Sequence, residues 1–169
     1  MQIILFRGRP GAGKSTLTDE FIKHYPGFLI RKDDLYDTAS EVLTEHSDRN
    51  KIAYNGLYKL LESNTTSDVT VVLDYPFQHD GDMDVIKSWC KQNNIALKSV
   101  LVTCSDIKVW SERLAARSEN PKPNQLVTNY NEFKKMYGTM QLEPEAGELI
   151  IDSIKPIETN VEQVRDFIQ

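Results

Sequence analysis

The chain has 169 residues and a formal net charge of −5 at pH 7, and 40% of its residues are hydrophobic. These values predict one globular domain over residues 1–169, and the acidic balance does not favour a strongly basic nucleic-acid binder, although it leaves a local basic groove open. No apolar run approaches the roughly 20 residues of a membrane span. The two cysteines, Cys90 and Cys104, give no disulfide framework, so we expect a cytoplasmic protein.

Short apolar runs alternate with longer amphipathic stretches, a pattern typical of an α/β fold. Five strands are predicted, at Ile3–Phe6, Phe28–Ile30, Val69–Leu73, Leu97–Thr103 and Glu148–Asp152. The first and third runs are almost continuously apolar, as expected of strands covered on both faces of a parallel sheet.

Helices are predicted between these strands and after the last one. In chain order they are Ser15–His24, Leu35–Leu43, Asp48–Ser63, Met83–Asn93, Asp106–Arg117, Gln125–Met140 and Val161–Phe167. Ser105 is the predicted N-cap of the fifth helix, with Ile107 facing inward. The sixth helix carries a stripe that we expect in the core, formed by Leu126, Tyr130, Phe133, Tyr137 and Met140.

The stretch LFRGRPGAGKSTL, from Leu5 to Leu17, contains the phosphate-binding pattern G-x-x-x-x-G-K-[ST]. In such a P-loop, backbone N–H groups surround the phosphates of a nucleotide, and the following helix directs its N-terminus at them. Lys14 would supply a cation to the β- and γ-phosphates, and the Ser15 hydroxyl would bind Mg²⁺. The predicted cofactors are therefore ATP and Mg²⁺, and the predicted nucleotide-binding residues are Gly8, Arg9, Pro10, Gly11, Ala12, Gly13, Lys14, Ser15 and Thr16.

Acidic residues follow two of the predicted strands. Open α/β sheets bind ligands at the carboxyl ends of their strands, so Asp33 and Asp34 would emerge near the γ-phosphate. A carboxylate there can accept a proton from an attacking hydroxyl or help to hold Mg²⁺, although an acidic pair can equally stabilise the start of a helix. Asp74 ends the third strand and would support Mg²⁺ or contact the acceptor, unless it only initiates the turn before Pro76.

The run GRPGAGKSTLTDEFIKHYPGFLIRKDDLYD, from Gly8 to Asp37, resembles the start of P-loop kinases of the polynucleotide 5′-hydroxyl kinase type. These kinases belong to a wider group with zeta-toxin-like and antibiotic phosphotransferases. The similarity is closest over Gly8–Asp34 and extends more weakly over about three-quarters of the chain. The resemblance implies a three-layer α/β domain with a mostly parallel five-stranded sheet, a nucleoside-kinase strand order with the P-loop strand central, and transfer of the γ-phosphoryl group of ATP to a hydroxyl.

The same resemblance implies roles for several residues. Asp33, which follows Lys32, would be the general base, and a lid arginine would reach the transferring phosphate. Arg117 is the matching arginine, with Arg113 one helical turn away as the second candidate. The implied lid covers about residues 113–128 and includes the proline-rich stretch RSENPKPN, which is otherwise an ordinary connector.

One position departs from the polynucleotide kinases. They carry an arginine three residues after the catalytic aspartate, and this chain has Tyr36 there. A tyrosine can stack on a base or ring but has no guanidinium fork, so the polynucleotide acceptor is less favoured. The candidate acceptor-binding residues are Asp34, Tyr36 and Asp74.

Other nucleotide-binding classes fit less well. Asp74 begins no D-x-x-G switch and the chain has no N-K-x-D motif, as a GTPase would require, and Tyr75 follows Asp74 where an AAA-type motor carries a second acid. Two hypotheses remain. One is a kinase acting on a 5′-hydroxyl polynucleotide, a nucleoside or a small molecule, and the other is a nucleotide-binding ATPase or regulatory module without a small acceptor.

Overall fold

The computed structural model describes residues 1–139 and 142–169, which form a five-stranded sheet covered by helices. The strands are β1 (Gln2–Arg7), β2 (Phe28–Arg31), β3 (Thr70–Asp74), β4 (Ala96–Thr103) and β5 (Leu149–Asp152). All neighbouring strands are parallel, and their order is β2-β3-β1-β4-β5. The predicted α/β fold with the P-loop strand at the centre is therefore confirmed.

Seven helices occur in the described part of the chain. They are α1 (Lys14–His24), α2 (Lys32–Ser40), α3 (His46–Glu62), α4 (Asp82–Gln92), α5 (Ile107–Ala116), α6 (Tyr130–Tyr137) and α7 (Ile157–Ile168).

The core lies on both faces of the sheet. Ile4 and Phe6 of β1 pack with residues of α1 and α7, while Ile3 and Leu5 pack on the opposite face with residues of α3 and α4. All four side chains are fully buried. Because each strand residue alternates between faces, a strand buried on both sides must be apolar throughout, which explains the continuous apolar run at the start of the chain.

A third apolar cluster joins α5 and α6 to the P-loop. It contains Ala12 of the loop, Trp110 and Leu114 of α5, and Phe133 of α6. The Trp110 ring lies 5.5 Å from the Phe133 ring, between centroids. This packing fixes α5 and α6 beside the loop.

The start of α5 differs from the prediction. Asp106, not Ser105, is the N-cap, because its Oδ1 accepts the N–H groups of Lys108 and Val109 at 2.8 and 3.2 Å. The helix begins at Ile107, whose side chain is 56% exposed and does not face inward.

Three other helices also begin at positions that the sequence did not predict. Helix α6 starts at Tyr130 because the Asn129 side chain accepts the N–H of Glu132, so the predicted start at Gln125 is wrong. Of the predicted core stripe, Leu126 is exposed, and Met140 lies outside the described residues. Helix α7 starts directly after Pro156, four residues earlier than predicted. Helix α2 starts at Lys32, which places the acidic pair in its first turn.

Candidate active site

The P-loop connects β1 to α1 and depends on its glycines. Gly8 has a φ of +146°, and a Cβ there would lie 2.3 Å from the carbonyl oxygen of Val102. Gly13, with a φ of +98°, precedes α1, and a Cβ there would lie 2.9 Å from the Cβ of Ser153. Any larger residue would displace the loop from the carboxyl ends of the strands.

Contacts on its outer side hold the P-loop in place. The indole N–H of Trp110 donates to the carbonyl of Pro10 at 2.8 Å, and the Gly8 N–H donates to the carbonyl of Pro76 at 3.3 Å. Among the described residues, no carbonyl or side chain accepts the backbone N–H groups of Gly11, Gly13, Lys14 or Ser15. Four free donors at a helix N-terminus suit a polyphosphate.

The Lys14 ammonium lies inside the loop. Its Nζ donates to the carbonyls of Gly8 and Arg9 at 3.0 and 3.3 Å. Desolvation lowers the pKa of Lys14, and the nearby carboxylates of Asp74 and Asp33 act in the opposite direction. A partly desolvated cation between two acids and the free amides can neutralise phosphate charge.

Asp74 stands at the carboxyl end of β3 and is 6% exposed. The Thr18 hydroxyl lies 3.5 Å from its Oδ2 and 3.1 Å from the carbonyl oxygen of Ser15, so the exposed Ser15 hydroxyl and the Asp74 carboxylate belong to the same region. No group of three or more acidic, histidine or cysteine side chains among the described residues could hold a metal. One hydroxyl and one carboxylate nevertheless fit Mg²⁺, which takes most of its ligands from phosphates and water.

Asp33 approaches the same point from α2. Desolvation raises its pKa, the charge of Lys14 opposes this, and Asp74 adds to it. The Asp33 side chain remains exposed at the mouth of the cleft, so the desolvation comes from the surrounding walls and not from full burial. A carboxylate of raised pKa beside the phosphate site is a suitable proton acceptor.

The two lid arginines have different surroundings. Burial lowers the pKa of Arg117, while Asp33 and then Tyr137 act in the opposite direction. Arg113 donates from Nη1 to the Ser153 hydroxyl at 2.7 Å and from Nη2 to the Ser153 carbonyl at 3.2 Å. Arg113 therefore contacts the segment after β5, whereas Arg117 lines the cleft beside Lys14.

The residues suggested for acceptor binding are not all accessible. Tyr36 is fully buried, and its hydroxyl lies 2.8 Å from Nδ1 of His46. Its ring therefore has no surface on which a substrate can stack, and that assignment is corrected. Asp34 is exposed, with its Oδ2 4.0 Å from Nη1 of Arg31.

A cleft of about 430 Å³ extends from the P-loop towards the segment after β5. Besides P-loop residues and the two lid arginines, its lining includes Ser153, Lys155, Ile157 and Asn160. The sequence interpretation missed these four residues. The signal that could have revealed them is their place directly after the carboxyl end of a strand, where open sheets bind ligands.

The model of the family described as AAA domain, AAA_33, matches residues 3–141. The chain belongs to this AAA_33 family. The sequence argument against an AAA-type motor concerned Tyr75, which stands where such motors carry a second acid, and membership in AAA_33 does not supply that acid. Comparison with curated proteins gives no match.

Solved structures share the fold of this AAA_33 protein over 99% of its chain. They include a candidate kinase from Chloroflexus aurantiacus (TM-score 0.81, 16% identity, 98% of that chain covered). Kti12 of Chaetomium thermophilum in complex with ADP-AlF3 is similar with a TM-score of 0.72 and 14% identity, and 99% of that chain is covered. The APS kinase CysC of Mycobacterium tuberculosis in complex with AMPPNP and APS is also similar, with a TM-score of 0.64 and 14% identity, and 96% of that chain is covered. The fold is that of the P-loop kinases.

In the described part of this AAA_33 protein, no helix has the length and apolar character to cross a membrane.

Proposed function

We propose that the protein is an ATP-dependent, Mg²⁺-requiring kinase that transfers the γ-phosphoryl group to a hydroxyl-bearing acceptor. The proposal is supported by Lys14 and Arg117 lining one cleft beside the P-loop and by the electrostatic influence of the Asp33 carboxylate on both cations. Nucleotide binding alone requires the loop and its lysine. A carboxylate facing both cations is the additional group that proton removal from an acceptor requires.

The nucleotide phosphates would lie on the loop from Gly8 to Ser15, with Thr16 beside them. Lys14 and Arg117 would neutralise charge that develops on the transferring group. Ser15 and Asp74 would hold Mg²⁺, which when bound supplies further charge neutralisation and alignment of the β- and γ-phosphates. Residues 113–128, which carry Arg117, would act as the lid.

In the transfer step, the Asp33 carboxylate takes the proton of the acceptor hydroxyl. The acceptor oxygen forms a bond to the γ-phosphorus, and the bond from that phosphorus to the bridging oxygen breaks. Its electron pair leaves with the oxygen on ADP, so atoms and charge balance.

The cleft beyond the loop suits the nucleoside part of ATP. Asn160 lines this cleft, and its Oδ1 is buried without a hydrogen-bond partner among the described residues. Its Nδ2 donates to the Asp152 carbonyl at 3.0 Å, which ties α7 to the end of β5 at the wall of this cleft. Arg113 would act here as a positioning residue through its two bonds to Ser153.

The acceptor belongs to one of the classes that the sequence resemblance implies, a 5′-hydroxyl polynucleotide, a nucleoside or a small molecule. The absence of an arginine at position 36 favours the smaller acceptors over a polynucleotide. Both cysteines are free and buried, which is consistent with a cytoplasmic enzyme.

The test is a panel of hydroxyl compounds with γ-labelled ATP, using wild type, Asp33→Asn and Asp34→Asn. Wild type should label at least one acceptor. Asp33→Asn should lower transfer by about 10²–10⁴-fold while ATP affinity stays within about threefold, because only the base is lost. Asp34→Asn is the matched control and should retain most of the activity. Normal transfer by Asp33→Asn would refute the base assignment.

A second candidate is a nucleotide-dependent module that hydrolyses ATP without a small acceptor. The observation that favours this candidate is the fold similarity to Kti12 in complex with ADP-AlF3, at a TM-score of 0.72. It predicts ADP release at the same rate with and without every acceptor of the panel. The kinase proposal predicts that a suitable acceptor raises the rate of ADP formation and carries the label.

A further inference from the structure

Tyr36 is the centre of a compact group of basic side chains that no other part of the account uses. We call Lys32, Tyr36, His46 and Arg49 the Tyr36 cluster. Nζ of Lys32 lies 4.3 Å from the Tyr36 ring centroid, and Cζ of Arg49 lies 5.7 Å from it. The His46 ring is 5.5 Å from the same ring, between centroids.

The two permanent cations of the cluster have no acidic partner. Among the described residues, no carboxylate oxygen lies within 4.0 Å of a Lys32 or Arg49 nitrogen. Nε of Arg49 donates to the carbonyl of Leu43 at 2.8 Å, which orients the guanidinium and leaves its other nitrogens without an acceptor. Both side chains are half-buried, so their charges are less screened than those of ordinary surface residues.

The nearby acids have other roles. Asp33 faces Lys14 and Arg117. Asp37 accepts two hydrogen bonds from Asn124, at 3.0 and 2.6 Å. Neither acid lies within 4.0 Å of a nitrogen of Lys32 or Arg49, although the charges of both raise the pKa of Lys32 against the effect of desolvation.

His46 supports this description of the local field. Desolvation lowers its pKa, and the charges of Lys32 and Arg49 lower it further. One ring nitrogen contacts the Tyr36 hydroxyl at 2.8 Å and the other contacts Nδ2 of Asn50 at 2.7 Å. His46 therefore orients Tyr36 through its two ring contacts, and the permanent charges of the cluster are those of Lys32 and Arg49.

The cluster lies next to the transfer point. Lys32 immediately precedes Asp33, and its charge acts on Asp33, Asp37 and Lys14. An acceptor whose hydroxyl contacts Asp33 would have Lys32 next to it in the chain, and Arg49 packs against the same tyrosine ring as Lys32.

We propose that the acceptor is a small anionic alcohol, one that carries a phosphate or carboxylate besides its reacting hydroxyl, and that Lys32 and Arg49 bind this anionic group. The proposal rests on the kinase function proposed above and specifies its substrate class. It also accounts for the tyrosine at position 36, since Arg49 of α3 brings a guanidinium to the place where that side chain has none.

The binding experiment uses calorimetry on full-length protein saturated with Mg·AMPPNP. The probes are glycerol 3-phosphate, adenosine 3′-monophosphate and gluconate, each compared with its neutral counterpart glycerol, adenosine or glucose. At least one anionic probe should bind more than tenfold tighter than its counterpart, and its affinity should fall as salt is raised. If no anionic probe binds below about 10 mM, or if the neutral counterparts bind equally well, the proposal is overturned.

Variants then locate the site. Arg49→Gln and Lys32→Gln should each weaken binding of the anionic probe by about 10–100-fold, with ATP affinity unchanged, because one charged hydrogen-bonding partner is lost. Arg49→Lys should recover part of the loss. Lys51→Gln is the matched control, since Lys51 is exposed on the same helix, and it should bind like wild type. Equal weakening by Lys51→Gln, or none by Arg49→Gln in folded protein, would overturn the proposal.

Two further outcomes separate the proposals. Anion binding that depends on Arg49, without label transfer to any bound compound, would retain the anion site and refute the kinase function. Label transfer to neutral alcohols alone would retain the kinase function and refute the anion site. A long oligonucleotide that binds much tighter than adenosine 3′-monophosphate would contradict the small-acceptor assignment and indicate a nucleic-acid substrate.

Discussion

Asp33 and Asp34 are adjacent acids with different surroundings. Both are exposed, but the pKa of Asp33 is raised by desolvation and responds to the charge of Lys14, whereas Asp34 lies beside Arg31. The sequence predicted that the pair would emerge near the phosphates but could not separate the two side chains by position alone. Their directions depend on α2 beginning at Lys32, a boundary that the sequence placed three residues later.

The raised pKa of Asp33 predicts a cost in stability. The folded protein binds the Asp33 proton more tightly than the unfolded chain does. As the pH rises above the pKa of this carboxyl in the unfolded chain, its ionisation therefore lowers the stability of the folded state. Asp33→Asn should therefore have a higher melting temperature than wild type at pH 7.5, and the difference should shrink as the pH is lowered towards 4. A lower melting temperature for Asp33→Asn at pH 7.5 would contradict the assigned environment.

At the scale of elements, the end of β1 is tied to the segment before β5 by a buried ion pair. Arg7 donates from Nε and Nη2 to the two carboxylate oxygens of Glu148, both at 2.7 Å. The side chains are 4% and 0% exposed. Arg7 also donates to the carbonyls of Phe77 and Glu143 at 3.3 and 2.8 Å, so the pair holds the strand that leads into the P-loop.

Removing one partner should leave a buried, uncompensated charge. We expect Glu148→Gln to lower the free energy of unfolding by about 3–5 kcal/mol in urea denaturation. Glu145→Gln is the matched control in the same segment, because its pair with Lys87 is partly exposed, and it should cost less than about 1 kcal/mol. Equal effects of the two substitutions would contradict the structural role of the Arg7 pair.

The segment proposed as the lid is joined to α2 through Asn124 and Asp37. The Asn124 backbone N–H donates to Oδ1 of Asp37 and its side-chain amide donates to Oδ2. Asn124→Ala removes the second bond and loosens the first, so trypsin cleavage after Arg117 should become about 3–10-fold faster. Gln125→Ala, which changes a contact within the lid, should cleave at nearly the wild-type rate. No acceleration in Asn124→Ala would show that this contact does not restrain the lid.

All five strands could be predicted because burial on one or both faces leaves a direct apolar signal in the sequence. Helix starts were less predictable. Asp106 and Ser105 are both good capping residues, and only the fold shows that the Ser105 N–H is already directed at Asp152. The first residues of the predicted sixth helix have helical spacing but remain outside α6, because Asn129 caps the helix further along.

For the molecule as a whole, the P-loop, its strand and its helix were recognisable because their chemistry is contiguous in the chain. The rest of the site is assembled from distant segments. Ser153 meets Gly13 across the sheet, and Arg49 reaches Tyr36 from another helix. Neither contact is signalled by a sequence motif, because the two residues of each pair are far apart in the chain or lie on different helices. The net charge of −5 likewise does not reveal that Lys32 and Arg49 lack a carboxylate partner within 4.0 Å among the described residues, since the sum over a chain does not describe one site.

Titration of the folded protein with Mg·ATP in a calorimeter tests the central claim most directly, with Lys14→Ala as the comparison. We predict a saturable 1:1 binding heat for wild type and an affinity at least about tenfold weaker for Lys14→Ala, because the desolvated ammonium no longer meets the phosphates. A wild-type protein that is folded yet gives no binding heat at millimolar Mg·ATP would contradict the account.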